Sequence, residues 1–192
     1  MELIIASNNA HKVKEIKEIL GDFFDGVFSM KEVGVDVDVE ETGDTFFANA
    51  LLKARAISEL TGKICLADDS GLRVDYLNGA PGVYSARYAG NEHNDDKNID
   101  KLLLALEGVE NREANFTSTL VVYYPNGDYL TVDGVTEGEI TLERKGTNGF
   151  GYDPVFFSYE LNKTFGEATD EEKNRVSHRG KVLKKLKAHF SN

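Results

Sequence analysis

Asp68 and Asp69 stand side by side at the end of an apolar run, in ICLADDSGL. Two adjacent carboxylates repel each other, so either a solvated turn or a cation must offset the cost. Glu40 and Glu41 form a second acidic pair. Magnesium takes only one or two protein carboxylates and completes its shell with waters and phosphate oxygens. One acid from each pair would suffice for such an ion, and another could accept a proton from an attacking water. Each pair alone also fits a solvated turn in an acidic protein.

Three further segments carry chemistry. In SNNAHK, residues 7 to 12, backbone N–H groups at a helix start lie beside small polar side chains and Lys12, which suits a phosphate chain. An ordinary helix cap with a solvent lysine is the competing reading. In GTNGFGYDP, residues 146 to 154, glycines let backbone approach a ligand, and Phe150 offers a stacking surface for a planar base. The same segment also fits a bend whose Phe150 returns to the core. In KNRVSHRGK, residues 173 to 181, Lys173, His178, Arg179 and Lys181 gather at a helix start. Positive charge there is unfavourable with the helix dipole, so an anion or an acceptor-rich ligand would explain it better than a solvated face does. Together the four segments supply the parts of a nucleoside triphosphate site. No G-x-x-x-x-G-K-[ST], G-x-G-x-x-G or H-E-x-x-H occurs, and VDVDVEETG carries Glu41 where a calcium loop needs glycine.

The elements that must position these residues follow from hydrophobic period. Leu3 to Ala6 reads as a buried strand leading into a helix with Val13, Ile16, Ile19 and Leu20 on one face. Val33 to Val39 alternates strictly and predicts a half-buried strand or extended edge. A helix follows EETGD, with Phe46, Phe47, Ala50, Leu51, Ala54 and Ile57 as its stripe and Gly62 as its stop. Ile64 to Ala67 is the next strand, with a sharp turn expected after Asp69 and extended chain again from Leu72 to Leu77. A helix near Asn94 to Gly108, a hairpin over 116 to 135 with a PNGD turn, and a strand at Val155 to Phe157 come next. The last forty residues or so read as helical, with Thr169 and Glu172 spaced as a capping box and Ser177 capping the final helix. The expected class is α/β with a mixed sheet, and no domain boundary is visible in the chain.

Composition excludes several classes. The 192 residues fit one domain with a sizeable core. A formal net charge of −11 disfavours binding to nucleic-acid backbones or anionic membranes. Any anionic substrate must therefore meet locally gathered cations or a metal. Cys65 is the only cysteine, so no internal disulfide can form, and the four histidines make no zinc spacing. MELIIASNN lacks a basic leader and a long apolar run, so a cytoplasmic location is expected and the sequons at Asn115 and Asn162 read as accidental.

The segments SNNAHKVKE, EETGDTFFANALLKA, ADDSGL, GAPGVYSARY, GFGYDPVF and SHRGKVL occur in this order along the chain. In order and spacing they resemble the inosine/xanthosine triphosphate pyrophosphatase family, over essentially the whole length. The first begins with serine where many relatives have threonine, which keeps the hydroxyl. The resemblance implies hydrolysis of ITP, dITP and XTP to the monophosphate plus pyrophosphate. It further implies magnesium dependence, a homodimer and an elongated two-lobed single domain over residues 1–192. A central mixed β-sheet flanked by helices would carry the active site in a cleft. By position, Ser7, Asn8, Asn9, Ala10, His11 and Lys12 would hold the phosphates, joined by Lys53. Glu40 and Asp69 would bind magnesium, with Asp69 also the proton acceptor, and Ser70 would touch substrate. Phe150, Gly151, Tyr152, Asp153, Lys173, His178 and Arg179 would hold base and sugar. Two alternatives of other kinds are a Maf-like pyrophosphatase for modified pyrimidine nucleotides and a non-catalytic nucleotide sensor.

Overall fold

Strand β1 (Glu2–Ile5) pairs in parallel with β2 (Gly26–Ser29) on one side and β3 (Ile64–Val74) on the other, in a computed structural model that describes residues 1–191. Helix α1 (Ala10–Leu20) lies between β1 and β2 in the chain, and α2 (Phe46–Thr61) between β2 and β3. Parallel neighbours need such crossovers, because a tight turn cannot reverse the chain twice. Next come β4 (Glu113–Tyr123) and β5 (Tyr129–Ile140), whose PNGD connection closes when the Tyr124 N–H donates to the Asp128 carbonyl at 2.9 Å. Strand β6 (Phe156–Ser158) runs antiparallel to β5, and β7 (Lys163–Thr164) antiparallel to β6. The resulting sheet is mixed, with seven strands in the order β2-β1-β3-β4-β5-β6-β7. Helices α3 (Asp95–Ala105), α4 (Asp170–Val176) and α5 (His178–Phe190) complete the chain.

The chain divides into two compact units, each discontinuous in sequence. One comprises Met1–Asp69, Ser118–Asp133 and Val182–Asn192; the other comprises Ser70–Thr117 and Gly134–Lys181. In the first unit alternation along the strands feeds two cores. Leu3, Ile5 and Leu66 pack with Ile16 and Leu20 of α1 and with Val182, Leu183 and Leu186 of α5. Ile4, Cys65 and Ala67 pack on the opposite side with Ala50, Ala54 and Ile57 of α2. Successive strand residues point to opposite faces, so this division is the pleat read out in packing. The second unit has its own core, in which Leu72, Val74, Ile99, Leu102, Phe116, Phe156 and Phe165 are buried together.

The helices start and stop where the sequence predicts. The Thr45 hydroxyl accepts from the Ala48 N–H at 3.1 Å at the start of α2, and Gly62 ends it in the left-handed region at φ +66°. Thr169 and Glu172 form the reciprocal capping box of α4, and Ser177 Oγ accepts from the Gly180 N–H at 3.0 Å at the head of α5. Four details differ from expectation. The strand expected over Val33–Val39 does not form: Val33 ends a short 3-10 turn (Lys31–Val33), residues 35 to 39 join no strand, and only Val35 and Val39 pack beside the α2 core while Val33 and Val37 are exposed. The short edge strand β2 was not foreseen, since GVFS has only two apolar residues. Only residues from Asp170 onward are helical; the stretch before them holds β6 and β7. Finally, there is no turn at Ser70–Gly71, because β3 runs unbroken from Ile64 to Val74 between β1 and β4. The β1 ladder ends at Leu66, so the strand carries on through Ser70 and Gly71 beyond the reach of β1, on the side where β4 is its neighbour.

Candidate active site

The unbroken strand changes how the two aspartates meet. Asp68 and Asp69 are both buried, and the pleat sends their side chains to opposite sides of the sheet. Asp68 shares the face of Leu66, toward α1, where Lys12 Nζ lies 3.0 Å from its Oδ2. Asp69 shares the face of Ala67, toward α2, where Asn49 Nδ2 donates to its Oδ2 at 3.1 Å and Lys53 Nζ stands 3.9 Å from its Oδ1. Each carboxylate thus meets a different helix. Repulsion between neighbours is relieved by separation and by two ammonium groups.

Lys53 is the hub of the first unit's polar cluster. Its Nζ donates to Glu41 Oε1 at 2.6 Å and to the main-chain carbonyl of Asp68 at 2.8 Å. Burial alone would pull this ammonium down, but Asp69, Asp68 and Glu41 more than offset it and hold it above its usual range. Burial pushes the Asp69 carboxyl up to about 6; Lys53 works against the rise, and the Glu41 carboxylate adds to it. On the Asp69 side of the sheet, Glu41 and Asp69 against Lys53 leave one net negative charge, and both acids offer oxygen donors. That chemistry fits a hard divalent cation. Among the described residues no group of three or more acids, histidines or cysteines could hold a metal ion by itself. Glu41 turns inward to Lys53, whereas Glu40 is exposed.

The segment after β1 is both a cap and more than a cap. Asn9 Oδ1 accepts from the His11 and Lys12 N–H groups at 3.0 and 3.2 Å, and Ser7 Oγ accepts from the Asn9 N–H at 3.1 Å. The Asn9 side chain therefore occupies part of the N–H array that could meet a phosphate. Lys12 is not a solvent lysine: it is drawn in against Asp68. Asn8, Ala10 and His11 are exposed around this turn, with Ser7 half-buried. Ser70 follows Asp69 on β3 and is likewise half-buried.

The second unit gathers the remaining predicted residues. Asp153 Oδ2 accepts from the Phe150 N–H at 3.0 Å and also from Lys173 Nζ. Burial pushes the Asp153 carboxyl up, with Lys173 the largest influence against it. Lys173 Nζ lies 4.4 Å from the centroid of the Phe150 ring and the Arg179 guanidinium 5.9 Å from it, so the ring carries two cations. Phe150 does not return to the core; the residue is 38% exposed. Gly149, at φ +74°, is required here, because a Cβ would fall 2.0 Å from Asp153 Oδ2. Gly151 N–H donates to Asp95 at 2.8 Å, and the Tyr152 hydroxyl donates to the Ser85 carbonyl at 2.7 Å. The buried His178 ring stacks on Phe116 at 4.9 Å, with 15° between the planes. An exposed aromatic bordered by fixed cations can receive a flat, acceptor-rich group.

A family model decides the assignment: that of the Ham1 family matches residues 3–189. The chain belongs to the Ham1 family. A dITP/XTP pyrophosphatase of Clostridium perfringens is 53% identical to it, over 97% of this chain and 95% of the relative. One from Bacillus licheniformis is 52% identical, over 97% and 96%. Among solved structures, the Ham1 protein of Staphylococcus aureus superposes with a TM-score of 0.93 at 42% identity, covering 100% of this chain and 98% of that one. A nucleoside-triphosphatase / dITP/XTP pyrophosphatase of Mycobacterium abscessus gives 0.82 at 41% identity, covering 97% and 98%. These likenesses bear out the α/β class and the family expected from the six segments.

Two residues at these sites escaped the sequence reading. Asn49 was missed because it interrupts an apolar stripe only once. Its spacing of four from Lys53 puts both on one face of α2, and that spacing could have found it. Asp95 was missed because an acid in the first turn of a helix is ordinary.

Proposed function

We propose that this Ham1 family chain hydrolyses dITP, XTP and ITP to the monophosphate and pyrophosphate, clearing aberrant purine nucleotides from the pool. The observation that carries the reading is Asp69: a buried carboxylate held between Asn49 and Lys53, with its proton affinity raised toward neutrality. In the metal-free protein that raised affinity suits a general base, and a bound magnesium ion would lower it. The full-length likeness to dITP/XTP pyrophosphatases supports the same conclusion.

In this reading Asp69 takes the proton of the attacking water as the water oxygen bonds to phosphorus. The P–O bond to the leaving group breaks between the α and β phosphates, and pyrophosphate departs. Lys12, Lys53 and the turn from Ser7 to His11 hold the phosphate chain, with Ser70 against it. Asp69 and an acid of the Glu40–Glu41 pair would hold magnesium; Glu40 follows from the family resemblance, and Glu41 is the one turned toward Lys53. When bound, magnesium neutralises charge developing on the phosphate oxygens. Phe150 stacks on the base, while Lys173, His178 and Arg179, with the turn from Gly151 to Asp153, hold base and sugar. Assembly as a homodimer and action in the cytoplasm belong to the same proposal. No helix among the described residues is long and apolar enough to cross a membrane.

Incubation of the purified protein with dITP, XTP, ITP, ATP and modified pyrimidine triphosphates, with separate assays for pyrophosphate and orthophosphate, tests the reading. Pyrophosphate from the 6-oxopurines and little from the others is the expected result. Pyrimidine preference would favour a Maf-like enzyme, and binding without turnover a sensor. Stoichiometric orthophosphate would sink cleavage between the α and β phosphates.

A further inference from the structure

Asn49 is fully buried in α2, and both ends of its amide are engaged. Its Oδ1 accepts the Gly43 N–H at 2.8 Å, and its Nδ2 donates to Asp69 Oδ2 at 3.1 Å. The orientation is forced. A main-chain N–H requires an acceptor and an ionised carboxylate can only accept, so the amide fits one way round. Gly43 sits against the helix so closely that a Cβ would fall 2.6 Å from the Ala48 Cβ and 2.7 Å from Asn49 Oδ1. One turn further along α2, Lys53 makes a second link, from Glu41 to the same aspartate. Two successive turns of one helix therefore tie the segment bearing Glu40 and Glu41 to Asp69, one through a neutral amide and one through charge.

We propose that Asn49 is a positioning residue that fixes Asp69 and the acid-bearing segment in one register, so that the oxygen donors for a divalent cation are set before the cation arrives. This deepens the hydrolase reading and rests on it. The partners of the Asn49 amide are Gly43 and Asp69. Asn49 donates to one oxygen of Asp69, orients the carboxylate, and through Gly43 holds the approach of residues 40 to 43. A neutral residue is needed: a carboxylate would add repulsion to an already acidic cluster, and an aliphatic one would leave the Gly43 N–H without its acceptor. Lys53 cannot substitute, because an ammonium at 3.9 Å sets charge without setting the plane of the carboxylate.

The test uses Asn49→Ala, Asn49→Ser and Gly43→Ala in the full chain. The first removes both bonds, the second is too short to span them, and the third pushes the segment off the helix with Asn49 intact. Melting temperature is measured against MgCl₂ alone, without nucleotide, and pyrophosphate release from dITP is measured against MgCl₂. The expected result is a 10- to 100-fold rise in the magnesium concentration at which the melting temperature begins to climb and in that giving half-maximal turnover, the range usual for outer-shell partners of a metal site. At saturating magnesium, KM for dITP should stay within about threefold of the parent while kcat falls by about tenfold or more. If Asn49→Ala does not fold, the serine and Gly43 variants carry the test. A variant that melts earlier but keeps the parent's magnesium dependence overturns the proposal and leaves Asn49 a core residue. So does a parent protein that MgCl₂ fails to stabilise. Absence of pyrophosphate release from the parent would defeat the hydrolase reading instead, while the magnesium melts would still judge Asn49.

Discussion

Replacing Asp69 with asparagine should make the metal-free protein more stable and the enzyme far slower. Burial raises the Asp69 carboxyl from 3.8 to about 6, against the pull of Lys53. A folded pKa above the unfolded one means that the group's contribution to stability is full below about pH 4 and is lost as the pH rises through about 6. A shift of this size corresponds to about 3 kcal/mol of destabilisation once the carboxylate is ionised. Asparagine keeps the shape and still offers an oxygen to Asn49 Nδ2, but never carries the charge. Lys53 loses a partner at 3.9 Å yet keeps Glu41 and the Asp68 carbonyl, which trims the gain. The net expectation at pH 7.5 is about 1–3 kcal/mol of added stability, or roughly 3–10 °C for a chain of this length. Urea melts in EDTA from pH 4 to 8 read it directly: the two proteins should coincide near pH 4, diverge up to about pH 6.5 and run parallel above. Turnover of dITP should fall by roughly 10²- to 10⁴-fold, the usual cost of losing a general base. A variant less stable than the parent at pH 7.5, or a gap that does not change with pH, would refute the claim that Asp69 carries a burial penalty. Near-normal turnover would move the base elsewhere, with Asp68 the first alternative.

Chelation should abolish pyrophosphate release and added MgCl₂ should restore it; activity persisting in excess EDTA would remove the metal from the reading. Lys12→Met takes away the ammonium 3.0 Å from the buried Asp68 carboxylate, so urea melts should show a loss of about 3 kcal/mol alongside a raised KM. Lys14→Met, at an exposed pair, should change stability by less than about 0.5 kcal/mol in the same melts. Arg179→Ala should narrow the preference for ITP over ATP, because its guanidinium can only donate and adenine presents a donor where a 6-oxopurine presents an acceptor. Two such mismatches amount to roughly 10²- to 10⁴-fold in kcat/KM. Phe150→Ala should weaken both substrates alike, since stacking is tolerant of base identity. A common factor across ITP, XTP, GTP and ATP for Arg179→Ala would assign it to phosphate or helix support.

The chemistry-bearing segments were legible because each is short and contiguous, and a helix start, an acidic pair or a glycine-rich turn announces itself within ten residues. Long-range pairings were not. Nothing in SNNAHK says that Lys12 will meet Asp68, and nothing in EETGD says that Glu41 will turn to Lys53 while Glu40 faces out. Fold class was legible from period, with its errors where period and pairing part company. Val33 to Val39 alternates but finds no neighbouring strand, whereas GVFS barely alternates and is recruited as an edge because β1 presents one.

The reading of Asp68 and Asp69 shows why local chemistry alone misleads. As a dipeptide, two acids followed by Ser-Gly argue for a turn, where water could screen the repulsion. Inside a sheet the pleat supplies another solution, because neighbours in a strand belong to different faces. Asp68 then answers to α1 and Asp69 to α2, and each helix brings one lysine. What remains unbalanced is the side of Asp69, where Glu41 adds a further carboxylate to the one that Lys53 offsets. A cation is therefore wanted on one face of the strand and not on the other. On the proposed reading, that asymmetry, rather than the acidic pair itself, favours Asp69 over Asp68 as the residue at which metal and proton transfer would meet.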